Sequence, residues 1–303
     1  MLPDEVLLEI FAISVDEDYF EEYMMRAWQP LVHVCHRWRN VVFGSPRRLN
    51  LRLDCTGKTR VRDTLDVWPA LPLVICAAVS ETNVDDIVAV LEHADRVKDI
   101  DLKFLKRLPF KLEKVLAAME GPFPELTDLQ LWWSGAKPVP VLSNSFLGGS
   151  APHLQSFALY NFPLPGLPKL LLSATRLVDL QLCIPCSRYL LPWEFATSLS
   201  ALTSLESLHL SFLPLYFGSR PYQAPSTTAH SALPVLTSPV TRSVIPALTS
   251  FEFTGASNFL DNLMARFDAP RLNNFNIYIF LEERIRHTAF GPIYQPHTKV
   301  EGA

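Results

Sequence analysis

The sequence predicts a mixed α/β chain: a short helical unit over residues 1–48, then parallel strands with helices or loops returning between them over 49–285, and a tail at 286–303. Three observations predict it. Two apolar stripes at helical spacing lie before Val42, a six-residue pattern apolar-x-x-apolar-x-apolar recurs seven times, and most copies start 23 to 29 residues apart, room for one strand and one return segment.

The helical unit comes first. Pro3 suits a first helical turn, where its missing N–H is no loss, and Asp4 and Glu5 sit where the helix dipole favours carboxylates. Val6, Leu7, Ile10 and Phe11 then form one stripe of a 3.6-residue period, and Leu31, Val34, Cys35, Trp38 and Val42 form a second. Such a unit is too small to bury both stripes within itself, so it reads as built to dock on a partner.

Leu2-Pro3-x-Glu5-Val6-Leu7-x-x-Ile10-Phe11, followed by Val34-Cys35-x-x-Trp38-Arg39, resembles the F-box, the helical module by which substrate receptors attach to the Skp adaptor of cullin-RING ubiquitin ligases. The continuation Ser-Pro-Arg-Arg-Leu-Asn-Leu at 45–51 is similar to fungal F-box proteins with irregular leucine-rich repeats. The match covers residues 2 to 48 best. It departs in the middle, where Ile13 to Pro30 is longer than the family's central helix and carries Asp16, Glu17, Asp18, Glu21 and Glu22. The resemblance implies a Skp-type adaptor, and through it a cullin, as partners, with Leu2, Pro3, Val6, Leu7, Ile10, Phe11, Leu31, Val34, Cys35 and Trp38 making the adaptor-facing and internal faces. It implies a non-catalytic receptor whose repeats hold a protein substrate, in the cytoplasm, the nucleus or both.

The repeats start at Val97, Leu126, Leu154, Leu177, Leu205, Leu248 and Leu272, at intervals of 29, 28, 23, 28, 43 and 24 residues. All but the fifth lie in or beside the span of about 20 to 29 typical of leucine-rich repeats. Leu49–Leu53 and Leu71–Ile75 read as two earlier strands of the same solenoid, with strands on its concave face and helices or loops on its convex face. Return helices are expected at Asn83–His93, Phe110–Met119 and Phe259–Phe267, each stopped by proline or loop chemistry before the next strand. The position three after the last strand apolar residue, where regular repeats carry Asn or Cys, holds Ser134, Phe162, Pro185, Leu213 and Phe280, so no continuous loop hydrogen-bond ladder is expected. The 43-residue interval contains an insertion, 218–243, rich in Pro, Ser, Thr and Ala, a composition that predicts a disordered or loosely held loop.

Side chains between and after the last two apolar positions point away from the core. They place Asp101, Gln130, Ala158, Gln181, His209, Glu252 and Asn276 in one row, beside Lys103, Trp132, Tyr160, Cys183, Ser211, Thr254 and Tyr278. Of these, Asp101, Gln130, Trp132, Tyr160, Gln181, His209, Glu252, Asn276 and Tyr278 are the candidate substrate-binding residues. Trp132 and Tyr160 should be neighbours, since aromatic anchors commonly dominate interfaces. A plainer reading is that Trp132 and Trp133 straddle a strand end and cover a loop.

Composition excludes other classes. The chain is 49% hydrophobic with a net charge of −4, which gives no electrostatic case for nucleic acid. Residues 1–45 hold eight acids and three bases, leaving 23 of the 31 acids and 24 of the 27 bases for the nearly neutral remainder. Five cysteines without regular spacing fit a reducing compartment. The N-terminus lacks the apolar run of a signal peptide, and no stretch reaches the roughly 18 apolar residues of a membrane span. Cys183-x-x-Cys186 has no second pair, His33 and His36 share a helix without further ligands, and no phosphate-loop, nucleophile-elbow or zinc-protease motif occurs, so no cofactor, metal or catalytic residue is expected. Three readings remain: a ubiquitin-ligase substrate receptor, a recognition scaffold not acting in ubiquitination, and an enzyme whose site is assembled from distant residues.

Overall fold

The computed structural model describes residues 2–16, 28–57, 61–105, 109–134, 139–184, 192–212 and 242–279. The expected insertion, apart from Arg242 and Ser243, and the expected tail lie outside these residues, as does the acidic stretch after Asp16.

Among the described residues, three helices come first: α1 (Asp4–Asp16), α2 (Gln29–Val34) and α3 (His36–Gly44). The carbonyl of Pro3 accepts the first helical bond, from the Leu7 N–H at 3.2 Å. The second apolar stripe is not one helix. Cys35 is extended, with φ −160° and ψ 168°, which breaks the i to i+4 ladder and turns α3 against α1. The break puts Val32 rather than Val34 into the core. Inside the head, Phe11 is fully buried with its ring 4.7 Å from that of Trp38.

The strand expected at Leu49–Leu53 is a turn for most of its length. The Leu51 N–H bonds back to the Pro46 carbonyl at 2.9 Å and Asn50 takes a positive φ of 46°, so strand β1 is Leu53–Thr56. Leu49 and Leu51 are nevertheless buried, as anchors beneath the head. The remaining elements are, in order, α4 (Val61–Val67), β2 (Leu73–Val79), α5 (Val84–Leu91), β3 (Val97–Phe104), α6 (Pro109–Ala118), β4 (Asp128–Trp133), β5 (Ser156–Tyr160), α7 (Leu167–Ser173), β6 (Asp179–Ile184), α8 (Pro192–Leu199), β7 (Ser207–Phe212), β8 (Ser243–Val244), β9 (Ser250–Gly255), α9 (Ser257–Met264), β10 (Phe267–Asp268) and β11 (Asn274–Ile279). The last return helix stops at Met264, earlier than its apolar pattern suggests, because Phe267 and Asp268 leave it to pair with β8.

Among the described residues, nine strands make one sheet in the order β1-β2-β3-β4-β5-β6-β7-β9-β11, every neighbouring pair parallel. The seven repeats pair in equivalent register. Ile100, Leu129, Phe157, Leu180, Leu208, Phe251 and Phe275 line up across the sheet, as do Leu102, Leu131, Leu159, Leu182, Leu210, Phe253 and Ile277. In the interior rungs these side chains are at most 1% exposed, so each contributes about 2 kcal/mol of apolar transfer. Phe275 and Ile277, on the last strand, are only partly buried.

Aromatic side chains seal the loops at the strand exits. Phe162, standing where a regular repeat has Asn or Cys, is fully buried, with its ring 5.5 Å from Phe104 and 6.1 Å from Trp133. Isolated side-chain bonds cross between the exits. The Ser134 hydroxyl donates to the Phe104 carbonyl at 3.0 Å, and Asn161 Nδ2 donates to the Trp133 carbonyl at 2.9 Å while its own N–H reaches Cys183 O at 2.6 Å. Asn161 adopts φ 64°, a region its short amide tolerates, and so ties three successive rungs together.

Candidate functional site

Two surfaces collect the candidate residues. On the head, helix α1 has apolar residues on two faces. Leu7, Leu8 and Phe11 turn inward, while Val6 and Ile10 are 41% and 44% exposed, joined on the outside by Leu2, Pro3 and Ile13. The expected single stripe of Val6, Leu7, Ile10 and Phe11 therefore splits between inside and outside. Of the remaining head residues, Leu31 and Trp38 pack partly against the core, and Val34 and Cys35 are exposed. Polar groups pin this arrangement: Arg37 bonds the Asp4 carboxylate and the Leu2 carbonyl, and Arg48 pairs with Glu9. The outer stripe consequently stands on a braced helix with no partner among the described residues.

The second surface is the sheet face opposite the helices. Pairing brings together Asp101, Gln130, Ala158, Gln181, His209, Glu252 and Asn276 in one row, and Lys103, Trp132, Tyr160, Cys183, Ser211, Thr254 and Tyr278 in the next. Trp132 and Tyr160 stack with ring centroids 3.4 Å apart and planes 9° from parallel. Both rings are half-buried, and Trp133 turns into the core, so the two tryptophans divide between the faces. Ala158 and Ser211 point outward but are covered by their larger neighbours.

A network of polar contacts holds the face. The Tyr160 hydroxyl donates to Gln181 Oε1 at 2.6 Å, Gln181 Nε2 donates to Asp179 Oδ2 at 2.8 Å, and His209 Nδ1 lies 3.3 Å from Glu252. Asn276 Nδ2 donates to Asn274 Oδ1 at 3.3 Å. Lys103 pairs with Asp101 at 3.4 Å, whereas Asp101 Oδ1 and Trp132 Nε1 are buried without a hydrogen-bond partner. Burial, then the charge of Glu252, pushes the Cys183 thiol up to about 11, against a hydrogen bond with Ser211, so Cys183 is a poor nucleophile at neutral pH. Cys186 lies outside the described residues.

A third row was missed at the sequence level: Asp54, Val74, Asp99, Asp128, Ser156, Asp179, Ser207, Ser250 and Asn274. Its signal was present, because the residue before the second apolar position is Asp in three of the seven repeats. Arg52 lies 3.8 Å from both Asp54 and Asp99. Thr127 Oγ1 lies 3.0 Å from Asp99 Oδ1 and 2.7 Å from Asp128 Oδ2. The Asp99 carboxyl is held above its ordinary value by burial first and by the charge of Asp128 second.

At the strand entries, Ala70, Pro72, Asp95, Arg96, Lys98 and Glu125 border a cavity of about 240 Å³, where two acids balance two bases and Arg96 is spent on the Leu71 carbonyl. Among the described residues, no group of three His, Cys, Asp or Glu side chains could hold a metal ion, and no helix is long and apolar enough to cross a membrane.

Fold and surfaces define a mixed α/β protein with a large parallel sheet of nine strands, one face of which is polar and open. No family model, curated protein or solved structure matches the chain.

Proposed function

We propose that this chain is a substrate-recognition subunit of an SCF-type cullin-RING ubiquitin ligase, located in the cytoplasm, the nucleus or both. The head is read as an F-box that docks a Skp-type adaptor and through it a cullin; the sheet is read as an irregular leucine-rich-repeat solenoid whose open face holds a protein substrate. The observation that carries the reading is the outer stripe of Leu2, Val6, Ile10 and Ile13, 41% to 61% exposed on the segment that resembles the F-box. Apolar groups gathered at that exposure are characteristic of a binding surface. The chain supplies no chemistry of its own in this reading: it raises the effective concentration of substrate beside a separate enzyme.

Val6→Ser combined with Ile10→Ser tests the adaptor surface, because both side chains lie outside the core. Affinity purification of the unaltered chain should recover a Skp-type adaptor and a cullin, and the double variant should recover neither while melting at nearly the same temperature. Failure of the unaltered chain to recover the adaptor, or undiminished recovery by the variant, would overturn the assignment. The second reading, a recognition scaffold outside ubiquitination, is favoured if the adaptor co-purifies but no partner gains ubiquitin when the proteasome is inhibited.

A further inference from the structure

Across the entry row of the open face, carboxylates occur on β1, β3, β4 and β6, two pairs each separated by one uncharged rung. The first pair is Asp54 and Asp99, with Val74 between them, and the guanidinium of Arg52 lies 3.8 Å from each. The second pair is Asp128 and Asp179, with Ser156 between them. Neither carboxylate of the second pair makes an ion pair among the described residues: Asp128 has the Thr127 hydroxyl and Asp179 has the Gln181 amide. Strands two apart are separated by about 9.5 Å, and Arg52 shows that one guanidinium can lie between carboxylates on such strands.

We propose that the gap over Ser156, between Asp128 and Asp179, receives the guanidinium of an arginine-bearing segment of a partner protein. The inference rests on reading this face as the substrate-binding surface and gives the partner a chemistry. A planar fork of N–H donors suits two carboxylates better than a compact ammonium does. The sign of the face supports the choice. Asp101 and Glu252 in the adjoining row add to the four carboxylates of the entry row; Arg52, Lys103 and Lys98, whose charge acts on Asp99, offset only part of this, and an anionic segment such as a phosphopeptide would meet net repulsion. The Tyr160–Gln181–Asp179 hydrogen-bond chain links the gap to the Trp132–Tyr160 stack, which offers the flanking residues of the segment an aromatic surface.

The test uses the full chain and fluorescein-labelled peptides of about eight residues, enough at about 3.3 Å each to cross five strand intervals. Alternating Arg–Ser, Lys–Ser and Glu–Ser sequences would be compared by anisotropy. The Arg–Ser peptide should bind best and weaken as salt is added. Asp128→Asn with Asp179→Asn should weaken it at least tenfold, whereas Asp261→Asn with Asp268→Asn, the same charge change on an exposed surface elsewhere, should not. Ser156→Arg, which supplies the cation from within, should also abolish binding. No binding of the Arg–Ser peptide, equal binding of the Lys–Ser peptide, preference for the Glu–Ser peptide, or equal loss in both double variants would overturn the proposal. Adaptor recovery, measured in parallel, separates the two ideas: peptide binding without the adaptor sinks the ligase reading alone, and adaptor recovery without peptide binding sinks this one alone.

Discussion

Asp99 shows how a single side chain on the open face can work against the fold. Its carboxyl is raised above the ordinary 3.8 because burial and Asp128 both disfavour the charge. A carboxyl that binds its proton more tightly in the folded state than in the unfolded one weakens folding as pH rises through the folded-state value; the penalty is absent below the ordinary value. Asp99→Asn keeps an oxygen for the Thr127 hydroxyl and removes the charge. It should therefore raise the melting temperature at pH 7, and the gain should shrink as pH falls toward 3.8. A melting series across that range checks both the sign and the window. A destabilising substitution at pH 7 would mean that Arg52 already compensates the charge.

At the scale of elements, the exit from β5 depends on Asn161, which combines a left-handed backbone with an amide bond to the neighbouring strand. Asn161→Ala loses both, and the two costs together are about 2 kcal/mol or more. Asn161→Gly keeps the backbone freedom and loses only the amide, so it should cost about half as much, a difference that urea unfolding at constant m-value can resolve. The repeats themselves were legible because Leu126, Leu129 and Leu131 and their counterparts declare both the strand and its inward face. The head was less so. Its pattern continues across Cys35 at helical spacing, although the backbone there is extended, and α1 is apolar on two sides, so periodicity could not decide that Leu8 turns in while Val6 and Ile10 turn out. The Asp128 and Asp179 row is hidden for another reason: it lies just before the second apolar position of each repeat, outside the alternating end that marks the strand.

For the whole molecule, the question is how far a local injury travels. The head and the sheet share one continuous core, joined where Trp28 packs edge-on against Trp68 at 5.1 Å and donates its indole N–H to the Arg52 carbonyl at 3.0 Å. Trp28→Ala should cost about 3–5 kcal/mol at that joint. Each strand of the sheet pairs only with its neighbours in line, so stability is set by nearest-neighbour terms and the damage should fade with distance along the row. Native-state hydrogen exchange should show α1 to α3, β1 and β2 losing most protection, while β7, β9 and β11 keep theirs. Uniform loss across all nine strands would show that the sheet unfolds as one unit.

The coincidence of chain order with strand order carries a consequence for how such a protein can change over generations. A duplication or loss of one repeat-length segment of the gene, such as Leu154–Arg176, inserts or removes a single rung and leaves every other strand beside a partner of the same inward pattern. The residues on the open face are supplied one rung at a time by positions that the core does not read. The chemistry of that face can thus be rewritten by small edits, such as exchanging Ser156 or Asp179, while the inherited scaffold beneath them stays unaltered.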